Sequence, residues 1–507
     1  MKTMFKLPRT TDRGQAILII ALAMVGLVAF VGMMTDGGVL LIEYGKLKRG
    51  IDAAAIASAQ QFRAGFQGAD LATAAQNFLI LNEAEADNII IYRCGKDEND
   101  VDLPVDADGF ILGDDGLSDG TKPDNTLCTD PLRKLVRVYA ERWVDFGFLR
   151  VIGFDGMNIE ADSVGEAASI DLVLVIDTSA SMSYETGGNP NSPDSALDDP
   201  SVCNYSPTDP CQPLDNVKEV AKDFIDTMFF PYDRVSVVAV TGQDAGGTRD
   251  HVTVLELSDS YADVEDAIDS LKVFEPPVCD FPAAPSQASP AAGPCLNYDA
   301  GGVFIGLDCP LYRNGADLIA GSGDEVNDPS SCNSSNIGGA LFRAASEFTR
   351  DPVRSDAFWV IIMLAGGPAN ATDADTPSYL YGYCPTTTWN SPTNPFCRDA
   401  DNDTRHSDGD TEYDADDYAR DMGDFVADPV DGQGVTIFTI GLGNLIQNAP
   451  KGDPDSAEVL LEYIAEVAGD SVDATANHGF YSYAPSTSEL DEIFASIAEN
   501  IFTRIAK

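Results

Sequence analysis

IDLVLVIDTSAS, residues 170–181, is a nearly continuous apolar run that closes on a carboxylate and two hydroxyls. A strand buried on both faces of a parallel sheet has this pattern, because helices cover both faces of such a sheet. The run leads directly into Asp177, Ser179 and Ser181, so three oxygen-bearing side chains follow the carboxyl end of the strand. The stretch therefore predicts an open α/β sheet with its ligand crevice at this edge.

The spacing Asp-x-Ser-x-Ser after such a strand resembles the first loop of the metal-ion-dependent adhesion site of von Willebrand factor A (vWA) domains. The segments that follow alternate between strand-like and helix-like patterns in the order of a vWA domain, and the resemblance covers about residues 166–507. It implies an α/β fold with a doubly wound, mostly parallel sheet and helices on both faces. The pattern alone is short, and the buried strand before it makes it specific.

The resemblance implies a divalent metal site with four oxygen ligands, namely Asp177, Ser179, Ser181 and Ser335. Mg²⁺ is the expected ion, with Ca²⁺ or Mn²⁺ as alternatives, because hard cations prefer oxygen ligands. Ser335 stands where the family usually has Thr, and it keeps the hydroxyl. Gly366 stands where the third loop usually has Asp, so one carboxylate is missing and the affinity should fall. The alternative is a vWA scaffold with an empty site.

Three insertions interrupt the vWA-like domain, near residues 184–212, 276–333 and 369–410. They are rich in Pro, Gly, Asn, Ser, Asp and Cys, and they lie at or near strand ends. Long loops on one face of a rigid scaffold usually carry binding specificity. The alternative is that these loops only cover the metal face.

The third insertion contains an alternating acidic run, DADNDTRHSDGD, that resembles a calcium-binding loop. It lacks Gly at the sixth position and Glu at the twelfth, which such loops require. The candidate ligands of a weak calcium site are Asp399, Asp401, Asp403 and Asp410. The alternative is a solvated acidic loop.

Residues Ala16–Met34 form an uncharged, apolar run of 19 residues. As a helix this run is about 28 Å long, close to the hydrocarbon thickness of a bilayer. It predicts a transmembrane helix over 16–35; the alternative is a cleaved signal peptide, although no clear cleavage site follows. Basic residues within 1–15 favour a cytoplasmic tail, and the cysteine-rich remainder is expected to be extracytoplasmic.

An apolar stripe continues past the span and predicts a helical extension over residues 36–62. The stripe consists of Leu40, Tyr44, Leu47, Ile51 and Ala54. Small residues dominate its end, AAAIASA, which allows close packing of helices. Two partners remain open for this face: a helix of another protein, or the next domain of the same chain.

Three N-terminal segments together resemble the TadG-like proteins of bacterial tight-adherence (Tad/Flp) pilus assembly systems. They are RGQ at 13–15, DGG at 36–38 after the apolar span, and LKRGIDAAAIASAQ at 47–60. The resemblance implies a membrane-anchored protein of a pilus assembly system. Related pseudopilins have Glu at the fifth position after the cleavage glycine, whereas this chain has Ile19. The anchor is therefore expected to be retained.

Residues 63–165 predict a small α+β connecting domain, with one helix-like stretch and three strand-like stretches. The chain has ten cysteines in polar, Gly- and Pro-rich surroundings, which suggests disulfides and an oxidising compartment. The pairs expected from their positions are Cys94–Cys128, Cys203–Cys211 and Cys384–Cys397. The other four cysteines allow three connectivities, and the sequence does not choose among them.

The formal net charge of -51, from 82 acidic and 31 basic residues, excludes nucleic acid as a partner. A field of this sign repels polyanions and attracts divalent cations and basic proteins. No motif of a hydrolase, a P-loop protein or a dinucleotide-binding enzyme falls on a suitable strand and helix. With only three histidines, a catalytic triad is not supported either, so we expect no enzyme and no small-molecule substrate.

These observations predict a membrane-anchored, extracytoplasmic vWA protein of the Tad/Flp pilus assembly type. It would mediate protein–protein interaction or adhesion, with pilus components or a surface ligand as the partner and a divalent metal at the contact. The alternative is a metal-free structural scaffold, or a minor pseudopilin-like component that packs with pilins through its N-terminal helix.

Overall fold

The computed structural model describes most of the chain in two compact units, Met1–Ala167 and Ala168–Lys507. The described residues are 13–62, 68–97, 101–113, 116–187, 197–241, 252–276, 278, 295–308, 335–369, 415–430, 433–447, 456–469 and 478–505.

The first unit is an α+β fold in which two helices pack with a four-stranded sheet of order β2-β1-β3-β4. Its elements are α1 (Arg13–Ala59), α2 (Gly68–Leu81), β1 (Asn88–Arg93), β2 (Thr121–Pro123), β3 (Lys134–Asp145) and β4 (Gly156–Ala167). Strands β3 and β4 form a long antiparallel hairpin, and β1 pairs antiparallel with β3 and parallel with β2.

Helix α1 is continuous from the apolar span into the small-residue stretch, and its two halves have different environments. Side chains of the span, such as Ile17 and Leu27, are exposed, whereas Leu47 and Ile51 are fully buried. Within the described residues it is the one helix long and apolar enough to cross a membrane.

The small-residue face of α1 packs against its own unit. A Cβ built on Gly165 of β4 would lie 2.2 Å from the backbone carbonyl carbon of Ala55, so helix and strand touch backbone to backbone. A Cβ on Gly50 would similarly lie 2.3 Å from the Cβ of Ala84. Of the two partners that the sequence left open for this face, the structure provides the chain's own next domain.

Two disulfides are present in the described residues. Cys94–Cys128 closes a loop of the first unit after β1, and Cys203–Cys211 lies in the first insertion of the second unit. The third expected pair, Cys384–Cys397, lies outside the described residues.

The second unit is a six-stranded sheet of order β12-β11-β10-β5-β6-β7. Its strands, with a separate β8–β9 hairpin, are β5 (Ile170–Ile176), β6 (Arg234–Ala239), β7 (Val252–Ser258), β8 (Cys295–Tyr298), β9 (Phe304–Asp308), β10 (Phe358–Ala365), β11 (Thr436–Leu442) and β12 (Tyr481–Ala484). Its helices are α3 (Pro200–Cys203), α4 (Leu214–Ile225), α5 (Tyr261–Asp269), α6 (Ile337–Phe348), α7 (Ala415–Ala427), α8 (Ala457–Glu466) and α9 (Leu490–Ile505).

Strand β5 lies in the middle of this sheet and is buried on both faces. Leu172 and Leu174 belong to one apolar core, with α4, α5 and α9, while Val173 and Val175 belong to the other, with α6, α7 and α8. Neighbouring strands β6 and β10 both run parallel to β5. The predicted doubly wound α/β fold with helices on both faces is therefore confirmed, with β7 as an antiparallel edge strand.

A buried ion cluster ties the amino-terminal end of β5 to its neighbours. The fully buried Asp171 carboxylate accepts hydrogen bonds from Arg234 Nε (2.9 Å) and Nη2 (2.6 Å) and from Arg354 Nε (3.1 Å). The guanidinium groups also donate to the backbone carbonyls of Pro352 (3.0 Å) and Tyr232 (2.8 Å). One carboxylate thus serves as the counter-charge of two buried cations, and each guanidinium also donates to a backbone carbonyl.

The variant Asp171→Ala should lower the free energy of unfolding of the second unit by about 3–5 kcal/mol, because it leaves two buried guanidinium groups without a counter-charge. Chemical denaturation of the full chain in detergent measures this change. The control is Glu256→Gln, whose ion pair with Arg350 is largely exposed (64% and 39%) and should be worth at most about 1 kcal/mol. Equal effects of the two variants would contradict a structural role for the cluster.

Candidate functional site

The loop after β5 places the Asp177 carboxylate at the carboxyl edge of the sheet and orients it with backbone amides. The backbone N–H of Asp177 donates to the carbonyl of Leu364 (2.9 Å), so pairing with β10 continues to this residue. Its Oδ1 accepts from the N–H of Ser179 (2.8 Å), and its Oδ2 accepts from the N–H of Gly366 (2.7 Å). The carboxylate therefore bridges the loops that follow two adjacent strands.

The two serine hydroxyls of the same loop lie next to each other beside this carboxylate. Ser179 Oγ and Ser181 Oγ are 2.7 Å apart, and both residues are buried. Adjacent ligands of an octahedral Mg²⁺, each near 2.1 Å from the ion, are about 3 Å apart. The spacing of these hydroxyls thus fits two neighbouring positions on such an ion.

Asp177 is a buried carboxylate whose charge is compensated by dipoles. Burial raises its pKa above the ordinary value, and the hydrogen bonds from Gly366 and from the backbone and hydroxyl of Ser179 lower it only in part. Within the described residues, no Lys or Arg forms an ion pair with it. Buried charges in proteins are normally paired with an opposite charge or coordinate a metal.

The fourth predicted ligand, Ser335, reaches the same edge of the sheet by a different route. It is buried and lies two residues before α6, whose N-cap Asn336 accepts a hydrogen bond from the N–H of Gly339 (2.9 Å). Helix α6 leads into β10, which is parallel to β5, so its N-terminus lies at the carboxyl edge. In the structure Ser179 contacts both Asp177 and Ser181, and Ser335 lies at their edge of the sheet.

The surroundings of Gly366 have two features that its sequence position does not reveal. Its backbone N–H donates to Asp177, and Met182 lies where a side chain at position 366 would begin. A Cβ on Gly366 would lie 2.6 Å from Met182 Sδ and 3.3 Å from Ser181 Oγ. Met182 therefore fills the volume that the missing third-loop carboxylate would need. Sequence reasoning identified Gly366 as a departure and did not connect it with Met182.

Parts of the insertions pack over this edge of the sheet. A small apolar cluster joins the first insertion, the second insertion and the loop after β11; its buried members are Ala180, Tyr184, Leu197, Leu296 and Leu445. Tyr298 of β8 is 2.9 Å from both Asp199 Oδ2 and Ser201 Oγ. The insertions are thus attached to each other and to the turn that follows Asp177.

A cleft of about 250 Å³ lies beside the site, at the ends of β5 and β6. Thr178 and Thr241 line it, and Thr241 Oγ1 is buried without a hydrogen-bond partner in the described structure. Tyr205 and Lys272 also line the cleft, and the Lys272 ammonium lies 4.0 Å from the centre of the Tyr205 ring. The cleft therefore combines hydroxyl, aromatic and cationic side chains, and it begins at Thr178, the residue after Asp177.

Two further expectations lie beyond this geometry. The candidate calcium ligands Asp399, Asp401, Asp403 and Asp410 lie outside the described residues. Within the residues that are described, no cluster of three or more His, Cys, Asp or Glu side chains could hold a metal. The set around Asp177 is of a different kind, because it has one carboxylate and its other candidate ligands are serine hydroxyls.

Comparison with known proteins finds no matching family model and no matching curated protein. Among solved structures, the pilus adhesin SpaC from Lactobacillus rhamnosus GG aligns with 73% of this chain at 12% identity and a TM-score of 0.35, and this chain spans 33% of SpaC. The PilB minor pilin from Streptococcus sanguinis aligns with 83% of this chain and 93% of its own length, at 12% identity and a TM-score of 0.34. The vWF domain of the type V pili tip protein Mfa5 from Porphyromonas gingivalis aligns with 67% of this chain and 97% of its own length, at 14% identity and a TM-score of 0.31. At such low TM-scores and identities, these similarities do not assign the chain to a family or a role.

Proposed function

We propose that this chain is a membrane-anchored, extracytoplasmic interaction protein of the vWA type that works in a pilus assembly system of the Tad/Flp type. Its second unit binds a protein partner at the carboxyl edge of the sheet. The observation that carries this proposal is the buried Asp177 at the end of the central strand, with the hydroxyls of Ser179 and Ser181 converging beside it. Binding rather than catalysis is proposed because the described loop 177–187 holds Asp177 with amides and contains no His, Lys or Cys that could activate a serine hydroxyl as a nucleophile.

A divalent cation, Mg²⁺ in the first instance, is proposed to bind at Asp177, Ser179, Ser181 and Ser335. The fit rests on a buried carboxylate that has no cationic side-chain partner among the described residues, and on the 2.7 Å spacing of two hydroxyls. When bound, the ion would supply an open coordination position for an acidic group of the partner. A site with one carboxylate should bind weakly, since affinity for hard cations grows with the number of charged ligands.

A second candidate function is a metal-free scaffold of the same assembly. The specific observation in its favour is the Gly366 N–H on Asp177 Oδ2, which stabilises the carboxylate without an ion. The filling of the third-loop space by Met182 supports the same alternative. In that case the partner would contact the insertions that pack over the edge of the sheet.

Ten millimolar Mg²⁺ should stabilise the wild-type chain by about 1.4 kcal/mol if its dissociation constant is about 1 mM, because the ion binds only the folded state. Asp177→Ala, Ser179→Ala and Ser181→Ala should each abolish this increment, as measured by calorimetry in Mg²⁺ and in EDTA. Ser183→Ala is the matched control, since Ser183 is a buried serine of the same turn whose hydroxyl donates to the Ala180 carbonyl (3.0 Å). A wild-type chain that gains nothing from Mg²⁺ or Mn²⁺ would refute the metal site and favour the scaffold.

Restoring a third-loop carboxylate should strengthen metal binding, provided that room is made for it. The double variant Gly366→Asp with Met182→Ala should shift the Mg²⁺ dependence of thermal stability to lower concentrations than in the wild type. Met182→Ala alone is the control for the loss of apolar packing and should leave the Mg²⁺ response of the wild type unchanged. If the double variant responds no more strongly than this control, position 366 does not face the ion.

The role in partner binding is tested separately with the purified chain and a Flp-type pilin added as the probe. Retention of that pilin in Mg²⁺ and its release by EDTA is expected for the wild type and for Ser183→Ala, and it should be lost in Ser181→Ala. Retention that is the same in EDTA for all three proteins would support the scaffold over metal-dependent binding.

A further inference from the structure

The tip of the β3–β4 hairpin carries an unusual set of exposed apolar side chains. It comprises residues 146–157, with a 3-10 turn at Leu149–Ile152. Its most exposed members are Val151 (86%) and Phe154 (61%), followed by Met157 and Phe148 (52% and 51%). Large apolar side chains gathered in this way on a soluble surface usually mark an interaction site.

The hairpin tip is attached to helix α1 at the end of its apolar span. A Cβ built on Gly32 would lie 2.8 Å from the Cβ of Phe148, so the absence of a side chain at Gly32 lets the tip touch the helix. Gly32 lies two residues before Met34, the last residue of the uncharged run. With a rise of 1.5 Å per residue, Phe148 is therefore level with a point about 3 Å inside the span.

Asp36 fixes this attachment through hydrogen bonds to three successive amides. Its Oδ1 accepts from the N–H groups of Gly147 (3.0 Å) and Phe148 (3.2 Å), and its Oδ2 accepts from those of Phe148 (3.0 Å) and Leu149 (2.6 Å). The carboxylate is nearly fully buried between the helix and the turn. Asp36, two residues after the end of the apolar span, is thus buried and holds the hairpin tip by hydrogen bonds.

The apolar surface of α1 also continues beyond the level of the tip. Leu41 and Ile42 are exposed (72% and 60%), and they lie past Asp36 on the same helix. The two charges within the tip, Arg150 and Asp155, form an ion pair with each other (3.4 Å). The tip and the end of the span thus both carry exposed apolar side chains, and the two charges of the tip are paired with each other.

We propose that the β3–β4 hairpin tip inserts into the extracytoplasmic interface of the lipid bilayer that α1 crosses. The inference rests on the membrane anchor of the proposed function, because the tip can meet lipid only if the span beside it lies in a bilayer. The occupant of this surface is lipid, since a surface joined to a transmembrane helix at that depth meets acyl chains and headgroups before any other molecule. Aromatic residues such as Phe148 and Phe154 suit this zone, where apolar faces are buried about 5–10 Å into the boundary of headgroups and acyl chains.

With its hairpin tip in the bilayer, the first unit has two membrane contacts in place of one. A single helix allows the attached domain to rotate about the helix axis and to tilt. A second contact at the hairpin tip removes much of this freedom. In this arrangement Asp36 is a positioning residue, because it acts on the bilayer only through the turn that it holds.

The test uses the full chain reconstituted into zwitterionic phosphatidylcholine vesicles, which avoid repulsion by the net charge of -51. Trp replaces Val151, and its emission is measured as the difference from the wild-type chain, with lipids brominated near the top or near the end of the acyl chain. We expect emission shifted to shorter wavelength and quenching that is strongest with bromine near the top of the chain, because interfacial residues lie at shallow depth.

Leu117→Trp provides the control at another exposed apolar position of the same unit (67%, against 86% for Val151). Residue 117 lies next to Gly120, whose Cβ would be 3.4 Å from Ala72 of α2. Helix α2 meets the far end of α1, where Ser58 Oγ donates to the Leu71 carbonyl (2.9 Å). Ser58 is 24 residues beyond Met34, or about 36 Å along the helix, so Leu117→Trp should not be quenched.

The outcomes separate this inference from the proposed anchor. Quenching of Val151→Trp but not of Leu117→Trp supports insertion of the tip. Quenching of neither variant, in protein that remains with the vesicles after carbonate washing, leaves the anchor intact and refutes the insertion; a protein partner for the tip would give this result. Protein that carbonate removes from the vesicles refutes the anchor, and with it the insertion.

The positioning role of Asp36 has its own readout. Asp36→Ala combined with Val151→Trp should reduce the quenching of the introduced Trp while the protein stays resistant to carbonate. Thr35→Ala is the neighbouring control, since the Thr35 hydroxyl donates only to the helix carbonyl of Val31 (2.8 Å). If quenching is unchanged by Asp36→Ala, the tip does not need the Asp36 hydrogen bonds to reach the bilayer, and the positioning role is wrong.

Discussion

The second unit depends on the pairing of β5 with β6 on one side and with β10 on the other. Because both neighbours run parallel to β5, their carboxyl ends meet at one edge, and the loops that follow them share that edge. The pairing continues past the last strand residue through the N–H of Asp177 and the carbonyl of Leu364. The position of Asp177, and the approach of Gly366 to it, follow from this register.

Three buried aspartates of the chain show three ways of stabilising a carboxylate. Asp171 accepts charge-assisted hydrogen bonds from two guanidinium groups, which suits a structural cluster at the amino-terminal end of the sheet. Asp36 accepts four hydrogen bonds from three amides, and a carboxylate has about four lone-pair positions. Asp177 accepts hydrogen bonds from two amides and from the Ser179 hydroxyl. By this measure Asp36 is saturated, whereas Asp177 keeps capacity for a further ligand.

Much of this fold could be predicted from the sequence because burial on both faces gives strands a strong signal. Apart from Asp171, strand β5 and its neighbour β10 are apolar along their length, and the helices between strands have one apolar, buried face. Strand β7 (Val252–Ser258) cannot be predicted from the sequence, because it is a half-buried edge strand that contains an acidic residue and shows neither a continuous apolar run nor strict alternation. The partner of the small-residue face of α1 could not be chosen, because close packing requires small residues whether the neighbour belongs to the same chain or to another.

At the candidate site, the sequence predicts which side chains share a turn but not which contacts form between loops that are distant in sequence. The spacing of Asp177, Ser179 and Ser181 predicts three side chains on one tight turn, and the turn does bring them together. The sequence also identifies Gly366 as a missing carboxylate. It does not show that the Gly366 amide takes a hydrogen-bonding position on Asp177, or that Met182 fills the vacated volume, because both depend on how two loops distant in sequence approach each other. The Gly366 amide lowers the need for a cation at Asp177 and leaves in place the oxygen atoms that could bind one. An ion at this edge would therefore be exchangeable, and a partner that supplies one more carboxylate would strengthen the binding of an ion that the chain alone holds weakly.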